Sequence, residues 1–261
     1  MKLEFLGTGT SQGVPVILCD CEVCQSTDPK DNRLRPSVWV TAGDISVIVD
    51  ATPDFRQQCL RTNIKHIDAI FISHLHADHF FGLDDVRQFN RLQQSDIPLY
   101  LPKHMEEHFK NVFAYTLIEH PPHVYRPRFD LKLIDVESIK FDNGLIVEPI
   151  VVWHGSYEIR GYCFEFEAKR MAYITDCKYI DPKSIEQVKN LDILILSALW
   201  KNYNTHPSHL TLEEAIEMNH ELKPKKCYFN HITHHMGLHA ETSKEIPENC
   251  FLAYDQLVIE L

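Results

Sequence analysis

The stretch SHLHADHFFG, residues 73–82, carries three histidines and an aspartate directly after the apolar run DAIFIS. The apolar run predicts a buried strand, so these polar side chains fall where the strand ends and a helix begins. On an extended segment, side chains two residues apart share a face. His74 and His76 can therefore bind one metal ion together.

Asp78 and His79 lie in the turn that opens the following helix, where they can face a second ion. Two metal ions about 3.5–4 Å apart, with a bridging hydroxide as nucleophile, are a common arrangement in hydrolases. A run of surface histidines, or a histidine satisfied in the core, does not account for four such residues in this spacing. The motif therefore predicts a binuclear metal site.

Two ions require more than four ligands, and strand ends are where a sheet presents side chains to one cleft. Three later apolar runs end in such a residue: VVWH at His154, AYITD at Asp176 and CYFNH at His231. Each alone is ordinary, but together they complete a set of five histidines and two aspartates. These nitrogen and oxygen donors suit Zn, Mn or Fe. Two divalent ions, two aspartates and a hydroxide leave a net positive site that can attract an anionic substrate.

The composition describes an acidic chain of 261 residues with 44% hydrophobic content and a formal net charge of −11. No linker is evident, so we expect a single α/β domain over residues 1–261. The acidic balance argues against a nucleic-acid partner, because such surfaces are built on clustered Lys and Arg. No apolar run approaches the roughly 18 residues of a membrane span. The start MKLEFLGTG does not resemble a signal peptide, so we expect a cytoplasmic protein without a membrane partner.

Short apolar runs alternate with helical patterns along the chain, without strict βαβ alternation, which indicates sheets covered by helices. The strand-like runs are residues 2–7, 44–50, 68–73, 98–102, 144–153, 170–175, 191–196 and 227–230. The helical candidates are residues 83–94, 103–114, 183–190 and 212–222. Thr211 and Glu214 form a capping box before the last of these. The Pro-rich piece 120–129 indicates an ordered surface crossing, where His120 and His123 could line the cleft.

A second cluster of metal-binding residue types is CDCEVC, residues 19–24. Its cysteines are Cys19, Cys21 and Cys24. In a reducing cytoplasm, closely spaced cysteines indicate metal rather than disulfides. A structural zinc site is closed and four-coordinate, and Cys3His sites are common. In HITHH, the turn after His231 can direct His234 at a separate ion, with His235 as the alternative. The zinc would hold the loop of residues 14–30 against the segment that carries His231.

The pattern His-x-His-x-Asp-His, followed by His154, Asp176 and His231, resembles the metallo-β-lactamase superfamily over nearly the whole chain. More narrowly, LGTGTSQGVP near the start, the Cys-x-Cys-x-x-Cys cluster and VDATPDFRQQ (residues 49–58) resemble one branch of it. That branch contains the phosphoribosyl 1,2-cyclic phosphate phosphodiesterase of the carbon–phosphorus lyase pathway. Transfer RNA 3′-processing ribonucleases share a larger group with it.

The resemblance implies an αββα four-layer sandwich with two metals in a cleft at one edge of the sheets. It implies a phosphodiesterase of small, cyclic phosphodiesters, and relatives are often homodimers. The implied ligands are His74, His76 and His154 for one ion, Asp78, His79 and His231 for the other, and Asp176 bridging. Asp50, at the end of DISVIVD, would accept a hydrogen bond from a ligand imidazole and fix its tautomer. Alternatively, Asp50 is only a turn residue.

Phosphodiester hydrolysis also requires a proton or hydrogen bond for the departing oxygen. In HPSHLTLEEA, residues 206–215, His209 lies just before the helix cap. Its Leu-Thr successor resembles the His-Ser-Thr stretch in which the ribonuclease relatives place a catalytic histidine. We therefore expect His209 to bind the scissile phosphate and protonate the leaving group. His206 competes for this role, and Asp78 is the other residue predicted to be catalytic.

Two alternative functions follow from the same residues. Transfer RNA 3′-end cleavage is the enzymatic one, but those ribonucleases use a long basic, glycine-containing arm. Residues 103–143 here contain several acids and no glycine. A non-catalytic zinc- or nucleic-acid-binding module that uses the cysteines is the alternative of another class. A complete set of seven ligands argues against it.

Overall fold

The computed structural model describes residues 1–118 and 125–261, which form two β-sheets between outer helices. His120 and His123 lie outside the described residues. The strands described are β1 (Lys2–Gly7), β2 (Ser37–Ala42), β3 (Ile45–Val49), β4 (Ala69–Phe71), β5 (Ile97–Pro102), β6 (Phe129–Ile134), β7 (Ile139–Lys140), β8 (Ile146–His154), β9 (Tyr157–Phe166), β10 (Lys169–Ile174), β11 (Tyr179–Ile180), β12 (Ile193–Ser197), β13 (Lys226–Asn230), β14 (Cys250–Leu252) and β15 (Val258–Glu260).

The helices are mostly short. The α-helices described are α1 (Phe55–Thr62), α2 (Ala77–Phe80), α3 (Arg87–Gln93), α4 (Glu106–Val112), α5 (Ala114–Leu117), α6 (Leu212–Leu222) and α7 (His239–Thr242). The 3-10 helices described are Pro29–Asp31, Phe81–Val86, Lys103–Met105, Ile185–Val188 and His234–Met236. In the described part of the chain, no helix is both long enough and apolar enough to cross a bilayer.

Each sheet combines an antiparallel half with a parallel half. The first sheet has the order β15-β1-β2-β3-β4-β5-β6 and is parallel from β3 to β6. The second has the order β11-β8-β9-β10-β12-β13-β14, with β7 beside β8, and is parallel from β10 to β14. Because β8 runs antiparallel to β9 and β9 antiparallel to β10, β8 points the same way as β10. The C-terminal ends of β8, β10 and β13 therefore share one edge, as those of β3 and β4 do in the other sheet.

The central strands are buried on both faces because alternate side chains face the other sheet or a helix layer. In β12, Ile193 and Ile195 belong to the core between the sheets. Leu194 and Leu196 belong instead to the core that includes Leu212 of α6. β3 shows the same alternation, with Val47 and Val49 between the sheets and Ile48 under the helices. The layers thus follow the expected αββα order.

The apolar runs predicted the central strands well, and α6 spans the predicted residues 212–222. The capping box is present, because Thr211 accepts the Glu214 N–H and Glu214 accepts the Thr211 N–H. The α-helix predicted at 183–190 is wrong, since only a 3-10 helix forms at Ile185–Val188. Lys189 is already extended there, and Asn190 turns with φ 53° to donate its N–H to Leu222 O, 2.9 Å away. The chain enters β12 before a second helical turn can form.

Candidate metal centre

The predicted site residues meet at the shared edge of the two sheets. Asp50 directly follows β3, His154 ends β8, Asp176 lies two residues beyond β10 and His231 directly follows β13. Asp50, Asp176 and His231 have φ values of 65°, 50° and 57°, a left-handed conformation that non-glycine residues rarely adopt. Such backbone costs about 1–3 kcal/mol per residue and clusters at functional sites. The chain turns sharply at each of these three residues, which places the Asp176 and His231 side chains in the cleft and the Asp50 side chain behind it.

The motif SHLHADHFFG returns to the same edge through the short helix α2. Its last residue, Gly82, is required by close packing, because a Cβ there would overlap Thr52 O. The Gly82 N–H donates to Ala51 O at 2.8 Å, which fixes the end of the motif against the segment after β3. Asp78 and His79 are thereby placed beside the residues that follow β3.

Seven side chains form two adjacent groups that share Asp176. One group is His74, His76, His154 and Asp176, and the other is Asp78, His79, Asp176 and His231. Within each group the potential ligand atoms lie within 4.8 Å of one another. Asp176 Oδ2 lies 3.8 Å from His74 Nε2, whereas its Oδ1 lies 3.1 Å from His231 Nε2 and 3.3 Å from His79 Nε2. Its two oxygens face different groups.

Asp50 is fully buried behind the cleft and orients His79. His79 Nδ1–H donates to Asp50 Oδ2 at 2.7 Å, which leaves Nε2 facing the cleft. Asp50 also accepts the N–H of Ser73 at 2.8 Å and its hydroxyl at 2.7 Å. Since that hydroxyl donates to Asp50, its oxygen can accept Nδ1–H of His74, 3.0 Å away. Sequence reasoning missed Ser73, although it directly precedes His74 in the motif.

His154 is oriented by the loop that carries His209. Its Nδ1–H donates to Ser208 O at 2.8 Å, so its Nε2 faces the cleft. The hairpin turn after β8 passes close to this loop at Gly155, which has φ 65° and whose Cβ would lie 3.2 Å from Ser208 Cβ. Ser208 was also missed from the sequence, because it acts through its backbone carbonyl, which no residue type reveals.

The charge balance of the site fits divalent cations. Asp50, Asp78 and Asp176 are buried, and buried carboxylates require compensating positive charge. Burial opposes a charge on His79, yet Asp176, Asp78 and Asp50 raise its pKa well above the usual value. In the described residues, His79 Nε2 and both ring nitrogens of His231 are buried without a hydrogen-bond partner. Cations bound at His79 Nε2 and at His231 Nε2, which faces Asp176, would satisfy those two nitrogens and offset the carboxylates.

The spacing of the donor atoms also fits such ions. Ligand atoms about 2.0–2.2 Å from a tetrahedral ion are separated by roughly 3.3 Å. His74 Nε2 and His76 Nδ1 are 2.9 Å apart, and the His231–Asp176 pair is 3.1 Å apart. Burial lowers the pKa of His74 well below its usual value, so this imidazole is neutral, as metal binding requires.

His209 lies beside both groups. Its ring centroid is 4.5 Å from that of His154 and 4.9 Å from that of His231, to which it is nearly parallel. His206 lies one ring further out, 4.9 Å from His209. Burial lowers the pKa of His209 to about 2, and its buried Nδ1 has no hydrogen-bond partner in the described residues. Of the two histidines, His209 is the one adjacent to the ligand groups.

Lys178 fixes the loop that carries His209. Its Nζ lies 3.4 Å from His209 O and 2.8 Å and 3.0 Å from the carboxylate oxygens of Glu214. Because Glu214 also caps α6, the loop is tied to the start of that helix. Sequence reasoning missed Lys178, which lies two residues after Asp176.

The three cysteines of CDCEVC converge on His234. The sulfur atoms of Cys19, Cys21 and Cys24 lie 3.3 Å, 3.4 Å and 3.4 Å from His234 Nδ1. A tetrahedral zinc with Zn–S of about 2.3 Å and Zn–N of about 2.0 Å separates such atoms by roughly 3.5 Å. The alternative, His235, is exposed, and its Nδ1 lies 3.1 Å from the Tyr203 hydroxyl instead. The cluster fits a closed Cys3His site.

The two clusters are joined by one short segment. His231 belongs to the first cluster and His234, three residues later, to the second. Between them, Ile232 forms a parallel bridge with Gly9 and donates its N–H to Thr8 O at 2.9 Å. The N-terminal loop is therefore held beside the segment after β13.

The family model of the beta-lactamase superfamily domain matches residues 46–232, a span that contains the seven His and Asp side chains. The chain belongs to the metallo-β-lactamase superfamily. This match confirms the family indicated by the motif, and the αββα fold expected with it.

Individual relatives of this superfamily member refine the assignment. The crystal structure of a diphosphatase from the PhnP family is 41% identical, with a TM-score of 0.90 over 100% of this chain and 96% of that one. The octanoyltransferase of Porphyromonas gingivalis is 34% identical over 98% of this chain, which spans only 51% of that relative. Ribonuclease Z of Archaeoglobus fulgidus is 23% identical over 100% of this chain and 97% of that protein. The chain is a metal-dependent hydrolase of the PhnP type.

Proposed function

We propose that this hydrolase is a binuclear metal-dependent phosphodiesterase that acts on a small anionic substrate in the cytoplasm. The observation that carries the proposal is the pair of ligand groups that share Asp176, with His209 beside both. Similarity to a PhnP-family diphosphatase over the whole chain supports hydrolysis at phosphorus.

In this proposal, one ion would be held by His74, His76 and His154, the other by Asp78, His79 and His231, and Asp176 would serve both. When bound, two Zn, Mn or Fe ions would supply a bridging hydroxide at neutral pH and polarise the phosphoryl group. The chain's own contribution is to set the ligand geometry. Hydrogen bonds to Asp50, Ser73 and the Ser208 carbonyl hold three imidazoles with Nε2 towards the cleft.

His209 is the proposed donor to the leaving group. Burial lowers its pKa to about 2, so the imidazole is neutral before the substrate binds. An anionic phosphate beside it favours the protonated form, which can then donate to the departing oxygen. In this proposal, His209 therefore becomes a proton donor only when the phosphate of the substrate is bound beside it.

The substrate is proposed to be small, and specifically a cyclic phosphodiester. The formal net charge of −11 argues against the many phosphate contacts that a large polyanion requires. The positive charge that attracts the substrate would come from the metal centre alone. A substrate with one phosphate group requires few phosphate contacts and can be attracted by the metal centre alone.

The reaction class can be tested with chromogenic esters. We expect protein loaded with Mn or Zn to hydrolyse bis(p-nitrophenyl) phosphate at least about tenfold faster than p-nitrophenyl phosphate, because a site complementary to the transition state of diester hydrolysis stabilises that of monoester hydrolysis less well. Release of p-nitrophenolate measures both reactions. Equal or greater turnover of the monoester, a thioester or a cephalosporin would contradict the assignment.

The role of His209 can be tested with two matched variants. We expect His209→Ala to keep the metal content and to lose about 100- to 10,000-fold in kcat, the range for loss of a general acid. His206→Ala, one ring further from the ligands, is expected to lose much less. Metal analysis and steady-state kinetics of both variants provide the comparison. A fully active His209→Ala variant would transfer the proton-donor role to His206 or water.

Transfer RNA 3′-end cleavage is the second candidate, favoured by the full-length match to an archaeal ribonuclease Z. A screen of cyclic nucleotides, cyclic ribose phosphates and a precursor transfer RNA separates the two functions. We expect turnover of a cyclic phosphodiester and none of the precursor. Cleavage of the precursor at its 3′ end in preference to the small esters would support the ribonuclease instead.

A further inference from the structure

Three aromatic rings, two of them exposed and the third, Trp200, half-buried, lie beside His206. Trp200 and Tyr203 lie in the loop between β12 and α6, and His235 lies in the segment after β13. The ring centroids are 5.6 Å apart for Trp200–Tyr203, 5.0 Å for Tyr203–His235 and 6.4 Å for Trp200–His235. Tyr203 is 54% exposed and His235 is exposed as well. These three rings are called the aromatic platform below.

The platform is connected to the candidate metal centre by ring contacts. The Trp200 ring meets the His206 ring nearly edge to face, with centroids 5.2 Å apart. His206 in turn lies 4.9 Å from His209. The platform therefore begins one ring beyond the proposed proton donor. A group attached to the departing oxygen would lie on this side of the phosphate, because His209 is the proposed donor to that oxygen.

The rings are fixed by hydrogen bonds within the platform itself. Trp200 Nε1–H donates to Asn204 O at 3.3 Å, and the Tyr203 hydroxyl lies 3.1 Å from His235 Nδ1. These bonds orient the rings, whose planes are tilted by 49°, 58° and 79° to one another. A ligand ring that stacks there would find its surface largely preorganised.

We propose that the aromatic platform binds a nucleobase carried by the leaving-group side of the substrate. The substrates would then be nucleotide phosphodiesters in preference to phosphodiesters of plain sugars. This inference rests on the proposed phosphodiesterase function and narrows its substrate class. Aromatic stacking suits an acidic protein, because a ring face binds a base without requiring further positive charge, and one stacked base changes affinity by about 5- to 150-fold.

Binding of two anions that differ only in the base tests the proposal. Adenosine 5′-monophosphate and ribose 5-phosphate carry the same phosphate and ribose. Calorimetry with the metal-loaded full chain is expected to show at least about tenfold tighter binding of the nucleotide. Trp200→Leu should remove most of that preference while leaving the affinity for ribose 5-phosphate unchanged. Tyr203→Ala, at an exposed position, should reduce it as well.

Tyr179→Ala provides the matched control. Tyr179 is an exposed tyrosine stacked on Trp153, with centroids 5.9 Å apart. Because side chains alternate along β8, Trp153 faces away from the cleft that His154 enters. This variant removes a surface aromatic without touching the platform, and the nucleotide preference should persist in it.

Equal affinities of the two anions, or no detectable binding of the nucleotide, would overturn the inference. Retention of the full preference for the nucleotide in Tyr203→Ala would also overturn the inference, even if Trp200→Leu failed to fold.

If the platform is instead covered by a second copy of the chain, Tyr203→Ala will shift a dimer towards monomer in sedimentation without changing nucleotide affinity. A platform that prefers the nucleotide on a protein unable to hydrolyse bis(p-nitrophenyl) phosphate would refute the proposed function and the substrate class, and would leave only the base-binding surface supported. Hydrolysis of bis(p-nitrophenyl) phosphate by a protein that binds the two anions equally would support the proposed function and refute the base-binding platform.

Discussion

Replacing Asp176 by alanine is expected to remove both the activity and the metal ions of the His/Asp centre. Its two carboxylate oxygens face different ligand groups, at 3.1 Å from His231 Nε2 and 3.8 Å from His74 Nε2. Burial alone would raise the pKa of Asp176, yet His231 and His79 hold it well below the usual value. The carboxylate is therefore ionised, and its loss would leave the facing imidazoles without their shared anion.

The expected loss of activity in Asp176→Ala is larger than the loss expected when a residue that only orients a ligand is replaced. Loss of a group that only orients a ligand typically costs 10- to 100-fold, so Asp176→Ala should lose more than about 100-fold in kcat/KM. Elemental analysis should show fewer ions per chain than in the unchanged protein. Asp181→Asn, a nearby carboxylate hydrogen-bonded to Trp153 Nε1 at 3.2 Å, provides the control and should keep metals and activity. Full occupancy of the centre in Asp176→Ala, with unchanged turnover, would exclude the bridging role.

The sequence could predict which His and Asp side chains meet at one edge of the sheets, because these residues follow apolar strands. A buried run such as DAIFIS identifies a strand, and polar residues at its end have few explanations other than a shared cleft. The same reasoning located His154, Asp176 and His231, each at or just past the end of a strand. Capping chemistry likewise located α6 to the residue, because a capping box depends only on local spacing.

Features that depend on distant backbone could not be found in this way. The Ser208 carbonyl orients His154 across 54 residues of sequence, and any residue type would offer the same oxygen. The left-handed turns at Asp176 and His231 are stabilised by tertiary contacts, since local preference disfavours them. The aromatic platform joins Trp200 and Tyr203 to His235 only after β12 and β13 pair. Strand ends are visible in a sequence, whereas the contacts made between them are not.

Replacing Cys21 by serine is expected to remove one zinc and to destabilise the fold without emptying the His/Asp centre. The three sulfur atoms lie 3.3–3.4 Å from His234 Nδ1, so loss of one would leave an incomplete coordination shell. A structural zinc contributes folding energy directly. The surrounding loop has little regular structure to replace it, since residues 14–28 lie outside helices and strands. For a chain of this size, a loss of a few kcal/mol corresponds to a decrease in Tm of roughly 10 °C.

Cys59→Ser is the matched control, because it makes the same chemical change at a half-buried free thiol in α1, outside the cysteine cluster. Zinc content and thermal unfolding of both variants separate a coordination effect from a general thiol effect. His234→Ala should reproduce the Cys21→Ser result, whereas His235→Ala should not, because His235 contacts Tyr203. Any fall in activity of Cys21→Ser should be accompanied by disorder of the segment around His231, since His231 and His234 are separated by only two residues. An unchanged variant, from a protein that binds only the two ions of the His/Asp centre, would refute the structural zinc.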